Sequence, residues 1–178
     1  MNKQNNFAYI DGNNLYRGIS DSGWKIDYCR FRKWLEEKYG VSRAYYFIGR
    51  VLKQKAIYKA LERAGFTLIY KEVIFDGQGK AKGNCDTDLV LQSVIDAYEN
   101  NCHQQIIVTS DGDYACLVKF LVRKQKLRII LSPRISGKCS ILLKRSSAPI
   151  TYLESVKKKF FLNEKALVKD GTLERSFS

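Results

Sequence analysis

QIIVTSDGDY, residues 105–114, is the stretch that decides the fold, because a short apolar run ends there in a polar, acidic turn. The apolar and β-branched residues from Gln105 to Thr109 predict a strand that is buried on both faces. From Tyr114 to Lys124 the apolar side chains recur at helical spacing, which predicts a helix. A buried strand that leads through a short turn into a helix is typical of a parallel sheet with helical connections.

The same alternation recurs along most of the chain. Strands are predicted at 7–10, 41–48, 66–75, 105–109 and 127–131, with an edge strand at 150–153. Helices are predicted between the cap Asp27 and Gly40, at 52–64, from Asp86 or Thr87 to about 100, at 114–124, and as a short segment at 137–145. Residues 15–25 are predicted to form a polar loop. This alternation indicates an α/β fold with a central, mainly parallel sheet and helices on both faces.

The length of 178 residues suits one domain with a sizeable core. We expect this domain to cover residues 1–155, followed by a basic C-terminal helix or tail over residues 156–178. The 31 Lys and Arg residues against 18 Asp and Glu give a formal net charge of +13. Such an excess favours a polyanionic partner such as nucleic acid, although surplus lysine can also serve solubility alone.

The cysteines and the N-terminus indicate a cytoplasmic protein. No two cysteines have the spacing of a zinc or redox pair, so we expect reduced thiols. The polar start MNKQNN lacks the apolar core of a signal peptide, and no apolar run approaches the ~20 residues that span a bilayer. We therefore expect no membrane partner, and we include a homodimer among the expected assemblies.

Four aspartates follow strands or open a helix at one predicted edge of the sheet. Asp11 comes directly after the first strand, and Asp111 and Asp113 follow the strand at 105–109. Asp86 opens the next helix and can reach the same edge, where function gathers in open parallel sheets. Carboxylates so close together resist ionisation unless a cation stands between them. Oxygen ligands without a cysteine or histidine cluster favour Mg²⁺ or Mn²⁺.

Helix capping is the alternative interpretation of these aspartates. Asp111 or Asp113 alone is more simply explained as a cap, since exposed N–H groups at a helix start attract carboxylates. The set that includes Asp11 favours a metal. Asp88, Gln92 and Asp96 share one helix face, and we interpret Asp96 as belonging to an outer, solvated stripe.

Three motifs together resemble the NYN domain, the LabA-like branch of the PIN-like nuclease superfamily. They are DGNN at 11–14, KGNCDTDL at 82–89 and SDGDY at 110–114, and the similarity covers about residues 5–155. The resemblance implies a Rossmann-like three-layer fold with a central parallel sheet. It also implies cleavage of RNA that depends on Mg²⁺ or Mn²⁺.

The resemblance also implies roles for individual residues. The catalytic, metal-binding positions fall on Asp11, Asp86, Asp111 and Asp113, and the neighbouring asparagine falls on Asn14. We expect Asn14, Asp88 and Ser110 to support these ligands. The chain departs from many relatives at Gln92, where they carry a further acidic residue, which reduces the ligands available for a second metal.

Substrate contacts are predicted around the loop that follows Asp11. Tyr16, Arg17, Trp24 and Lys25 combine rings that stack on bases with cations that contact phosphates, and Lys82 can neutralise a phosphate. The main alternative function is a PIN-like module that binds RNA or protein without cutting it. A Toprim-like phosphotransfer domain is less favoured because it requires Glu where Asp11 stands. No G-x-G-x-x-G or Walker A loop is present.

Overall fold

A computed structural model describes residues 5–50, 55–72, 74–75, 81–82 and 85–162, and a six-stranded parallel sheet forms its centre. The strands are β1 (Asn6–Asp11), β2 (Val41–Arg50), β3 (Thr67–Glu72), β4 (Ile74–Phe75), β5 (Ala81–Lys82), β6 (Gln105–Val108), β7 (Leu127–Ser132) and β8 (Ile150–Tyr152). The sheet order is β3-β2-β1-β6-β7-β8, and β4 and β5 form a separate antiparallel pair.

Helices cover both faces of the sheet. They are α1 (Gly12–Ser20), α2 (Tyr28–Tyr39), α3 (Lys55–Arg63), α4 (Asp86–Tyr98), α5 (Ala115–Arg123), α6 (Ile141–Lys144) and α7 (Leu153–Val156). Side chains of α1, α2, α3 and α7 share one core cluster with the sheet, and those of α4 and α5 share another. The predicted three-layer α/β fold with a central parallel sheet is therefore confirmed. Within the described parts of the chain, no helix is long and apolar enough to cross a membrane.

Strand β1 explains why the central strands read as continuous apolar runs. Ala8 and Ile10 point into the core beneath α1 and α2, whereas Phe7 and Tyr9 point into the core beneath α4 and α5. Every residue of β1 is buried. A strand covered on both sides has no polar face, so its sequence shows no alternation.

The first helix is the main correction to the sequence-based prediction. Residues 15–20, predicted as loop, belong to α1, which begins at Gly12 and is capped by Asp11. The Asn13-Asn14 pair is typical of a turn and favoured the loop prediction. Leu15 and Ile19 are nevertheless four residues apart, which is helical spacing, and both are buried. Tertiary packing decides the outcome, since both of these apolar side chains are almost completely buried.

Other boundaries shift in smaller ways. The strand predicted at 66–75 is β3, which ends at Glu72, followed by the two residues of β4. The helix predicted at 52–64 begins at Lys55 in the described part, and residues 51–54 lie outside it. The helix predicted at 137–145 is the four-residue α6. The edge strand predicted at 150–153 is confirmed as β8.

The described part of the C-terminal segment packs against the domain. Phe160 is fully buried, and its ring lies 5.1 Å from the rings of both Phe31 and Trp34, measured between centroids. Its backbone oxygen accepts a hydrogen bond of 2.9 Å from the Asp27 amide. A domain boundary after residue 155 stays a prediction, and the tail over residues 163–178 lies outside the described residues.

Candidate functional site

The site lies where the order of strands reverses. From β1 the chain proceeds to β2 and β3 on one side of the sheet, whereas β6, β7 and β8 lie on the other side. β1 and β6 pair directly and in parallel, so their carboxyl ends are neighbours. Ligands of open α/β sheets bind in the crevice outside this reversal point. Asp11 is the last residue of β1, and Asp111 follows β6 by three residues.

Asp11 is a buried carboxylate with two acidic neighbours. Its side chain caps α1, because Oδ1 accepts a hydrogen bond of 3.0 Å from the Asn14 amide. Burial, together with the charges of Asp86 and Asp111, raises the pKa of Asp11 from 3.8 to about 6, against the lowering effect of hydrogen bonds from Asn14 and Tyr114. The structure therefore brings Asp11, Asp86 and Asp111 together.

Asp111 and Asp113 occupy one tight turn but different environments. Asp111 is partly buried, and its Oδ1 accepts a hydrogen bond of 3.1 Å from the Asp113 amide, which caps the 3₁₀ turn Gly112–Tyr114. The Asp113 side chain is exposed at the rim. Asp111 is therefore a cap, as the alternative interpretation expects, and the same carboxylate is also a neighbour of Asp11.

Asn14 ties the two strand ends together. Its Oδ1 accepts hydrogen bonds from the Ser110 amide at 2.9 Å and from the Ser110 Oγ at 2.7 Å. Ser110 is buried and immediately precedes Asp111, whereas Asn14 lies in the first turn of α1, beside Asp11. This bridge crosses the reversal point and fixes the turn after β6 relative to the turn after β1.

Tyr114 is a site residue that sequence reasoning missed. Its hydroxyl donates a hydrogen bond to Asp86 Oδ1 and also interacts with the carboxylate of Asp11. The ring itself is 1% exposed and packs in the core beneath α4 and α5. In the sequence, Tyr114 is an aromatic residue directly after Asp113, and this pattern is also typical of an ordinary core residue. The sequence therefore predicted only that its ring packs in the core.

The other two aspartates of α4, Asp88 and Asp96, form contacts with residues outside this cluster. Asp88 forms an ion pair with Lys71, with a distance of 3.1 Å between Oδ2 and Nζ, in a groove between β3 and α4. The placement of Asp96 on an outer, solvated face is wrong, because that residue is 2% exposed. Its carboxylate accepts hydrogen bonds from Tyr9 at 2.7 Å and from Asn101 at 2.9 Å. Tyr9 and Asn101 both lie outside α4, so the spacing of residues along the helix could not predict the burial of Asp96.

The predicted RNA-contacting residues divide into two groups. Tyr16 and Arg17 are exposed on α1 within two turns of Asp11, and Lys25 is exposed beyond the helix. Trp24 is a correction, since it is 7% exposed and packs on Phe160 with ring centroids 6.0 Å apart, so its ring is not presented to a base. Lys82 belongs to β5, and its side chain lies outside the described structure.

The carboxylate oxygens of the site suit a hard divalent cation, but their present arrangement does not form a metal-binding group. Carboxylate oxygens are the ligands that Mg²⁺ and Mn²⁺ prefer. Within the described residues, no three acidic, histidine or cysteine side chains are close enough to form a metal-binding group as they stand. The electrostatic coupling around Asp11 nevertheless identifies three carboxylates as neighbours. Binding a cation therefore requires these side chains to turn towards one another.

The sequence matches the NYN domain over residues 8–150. The chain belongs to this family. NYN domains belong to the PIN-like nuclease superfamily and are generally nucleases. The family match begins within β1 and ends at Ile150, the first residue of β8, so it includes Asp11, Asp86, Asp111 and Asp113.

A solved structure supports the fold of this NYN domain. The crystal structure of a protein of unknown function from Vibrio parahaemolyticus is similar, with a TM-score of 0.71 and 22% sequence identity. The similarity covers 91% of this chain and 99% of that chain. No curated protein matches the chain.

Proposed function

We propose that this NYN domain is a LabA-like, metal-dependent ribonuclease that hydrolyses phosphodiester bonds of RNA. In this proposal Asp11, Asp86, Asp111 and Asp113 hold Mg²⁺ or Mn²⁺, with Asp113 as the outermost ligand. One observation carries the proposal: Asp11 is buried at the strand reversal point beside two further carboxylates whose charges raise its pKa. Without a cation this arrangement costs stability, and a divalent ion would offset the cost.

A bound divalent ion would supply an activated water and positive charge for the leaving oxygen. The aspartates of the chain would hold and orient that charge, and Asn14 would keep the two strand ends in register through Ser110. Histidine chemistry is a poor alternative. The single histidine, His103, lies just before β6, at the opposite edge of the sheet, where its amide donates a hydrogen bond to the Asn5 oxygen.

RNA is the proposed substrate because the surface beside Asp11 combines charge with an exposed ring. Tyr16 is 61% exposed, and Arg17 is exposed next to it on α1. An exposed ring can stack on an unpaired base, and a guanidinium can contact its phosphate. Lys25 and Lys82 would extend this surface in the proposal. The net charge of +13 supports a polyanionic substrate.

The proposal is tested by incubating the purified protein with single-stranded RNA in Mn²⁺, in Mg²⁺ and in EDTA. We expect cleavage in Mn²⁺ or Mg²⁺, none in EDTA, and a loss of several orders of magnitude in Asp111→Asn. Mn²⁺ should also raise the melting temperature of the wild type, because it binds the native state alone. The proposed metal site is contradicted if Mn²⁺ supports no RNA cleavage and also leaves the melting temperature unchanged.

The alternative is a PIN-like module that binds RNA or protein and does not cut. It is favoured by the absence, among the described side chains, of a metal-binding group formed in advance. The same assay separates the two functions. RNA that is bound but intact after long incubation with Mn²⁺, together with an unchanged melting temperature, would support the binding module.

A further inference from the structure

Tyr114 lies at the junction of three elements that form the site. It ends the 3₁₀ turn that follows β6, its ring packs beneath α4 and α5, and its hydroxyl reaches the first residue of α4, Asp86. The same hydroxyl interacts with Asp11 at the end of β1. One buried side chain therefore contacts two of the carboxylates that the proposed nuclease uses.

A hydroxyl between two carboxylates has two physical effects. It donates a hydrogen bond to a carboxylate, and hydrogen bonds to carboxylates are stronger than those between two neutral groups. It also limits the directions in which the acceptor carboxylate can point, since Tyr114 is 1% exposed and its ring is held by core packing. Groups that bond to a metal ligand in this way orient it, and their removal typically lowers metal affinity by about 10- to 100-fold.

We propose that Tyr114 is a positioning residue whose hydroxyl holds Asp86 in the orientation needed to share a divalent cation with Asp11. This inference rests on the proposed function, and the observation behind it is that the Tyr114 hydroxyl bonds to Asp86 and also interacts with Asp11. Tyr114 acts through Asp86 and does not itself touch substrate.

The chain offers a matched control in Tyr9. This residue is also fully buried in the core beneath α4 and α5, and its hydroxyl donates a hydrogen bond of 2.7 Å to a carboxylate of α4, that of Asp96. Asp96 lies ten residues beyond Asp86, which is about 15 Å along the helix. Tyr9→Phe therefore removes the same kind of bond from the same core without changing the site.

The test is a Mn²⁺ titration followed by electron paramagnetic resonance, with wild type, Tyr114→Phe, Tyr9→Phe and Asp11→Asn in parallel. Tyr114→Phe should raise the dissociation constant for Mn²⁺ by about 10- to 100-fold. Tyr9→Phe should bind Mn²⁺ like the wild type. The Mn²⁺ concentration that gives half-maximal RNA cleavage should shift by the same factor in Tyr114→Phe, while the rate at saturating Mn²⁺ largely recovers.

Failure of this inference is distinguishable from failure of the proposed function. Wild-type Mn²⁺ affinity in Tyr114→Phe, or an equal loss in Tyr9→Phe, overturns the positioning role even when Asp11→Asn has lost both binding and cleavage. Undiminished Mn²⁺ binding and cleavage in Asp11→Asn would instead overturn the proposed metal site itself.

A double variant keeps the inference testable should Tyr114→Phe fold poorly. Tyr114→Phe takes a donor away from a carboxylate, whereas Asp86→Asn combined with Tyr114→Phe takes it away from a neutral amide. An incompletely bonded amide costs less stability than an incompletely bonded charge, so the double variant is the milder change. Because Tyr114 acts through Asp86, this double variant should bind Mn²⁺ like Asp86→Asn alone. A further loss of affinity in the double variant would contradict the role.

Discussion

Asp11 shows how a single residue can serve both the fold and the site. Asn could replace Asp11 as a helix cap, because both side chains accept hydrogen bonds from the amides of the first helical turn equally well. As a buried carboxylate beside Asp86 and Asp111 it opposes folding whenever it is ionised. The sequence predicted its position after the first strand, but neither its burial nor the contact with Tyr114 could be inferred from spacing.

The first prediction follows from the raised pKa of Asp11. The group binds its proton more tightly in the folded protein, so its contribution to stability is fully present below about pH 4 and is lost as the pH rises through about 6. In EDTA at pH 7.5, Asp11→Asn should therefore raise the free energy of unfolding by up to about 3 kcal/mol. Urea unfolding measures the difference. A less stable variant at pH 7.5, or an equal gain at pH 4, would contradict the argument.

At the scale of elements, the strands were predictable and α1 was not. Strands β1 and β6 are short apolar runs with turn residues at their ends, so their complete burial follows from composition, whereas β7 is buried only in its second half. Helix α1 depends on close packing that a single sequence does not reveal. A Cβ atom on Gly12 would lie 2.7 Å from the backbone oxygen of Phe47, so only glycine permits the helix to start so close to β2.

The second prediction concerns this close approach. Gly12→Ala should destabilise the protein by about 1–3 kcal/mol, because β2 or the start of α1 must move. The shift should also displace Asp11 and lower the cleavage rate. Gly137→Ala is the control, since a Cβ there meets nothing within 4 Å. Chemical unfolding of the two variants checks the difference, and equal stabilities would mean that the approach of α1 to β2 is not tight.

At the scale of the whole molecule, the sequence predicted the fold class and placed the candidate site at one edge of the sheet, but it did not predict the contacts of individual side chains. The chain order and the parallel sheet follow from alternating patterns along the sequence. Buried hydrogen-bond networks, such as the one in which Asp96 accepts from Tyr9 and Asn101, can join residues far apart in sequence. The predicted homodimer remains a prediction.

The third prediction concerns RNA affinity and salt. With a net charge of +13, binding should weaken steeply as salt rises, because phosphate contacts release counterions. Arg17→Ala should reduce the slope of log affinity against log salt by about 0.7, the contribution of one phosphate of a single strand. Lys33→Ala on α2, which removes an exposed cation paired with Glu37, should leave the slope unchanged. Fluorescence anisotropy measures the salt dependence of RNA affinity for both variants. Equal slopes would show that Arg17 of α1 does not contact RNA phosphates.

The most direct test of the central claim compares RNA cleavage by Asp11→Asn and Asp27→Asn at saturating Mn²⁺. Both aspartates cap a helix, and each accepts a hydrogen bond of 3.0 Å through Oδ1 from the amide three residues on. The substitution keeps both caps, so the variants differ in whether the lost charge lies at the strand reversal point. The account predicts wild-type rates for Asp27→Asn and a loss of several orders of magnitude for folded Asp11→Asn. Comparable cleavage by the two variants would contradict it.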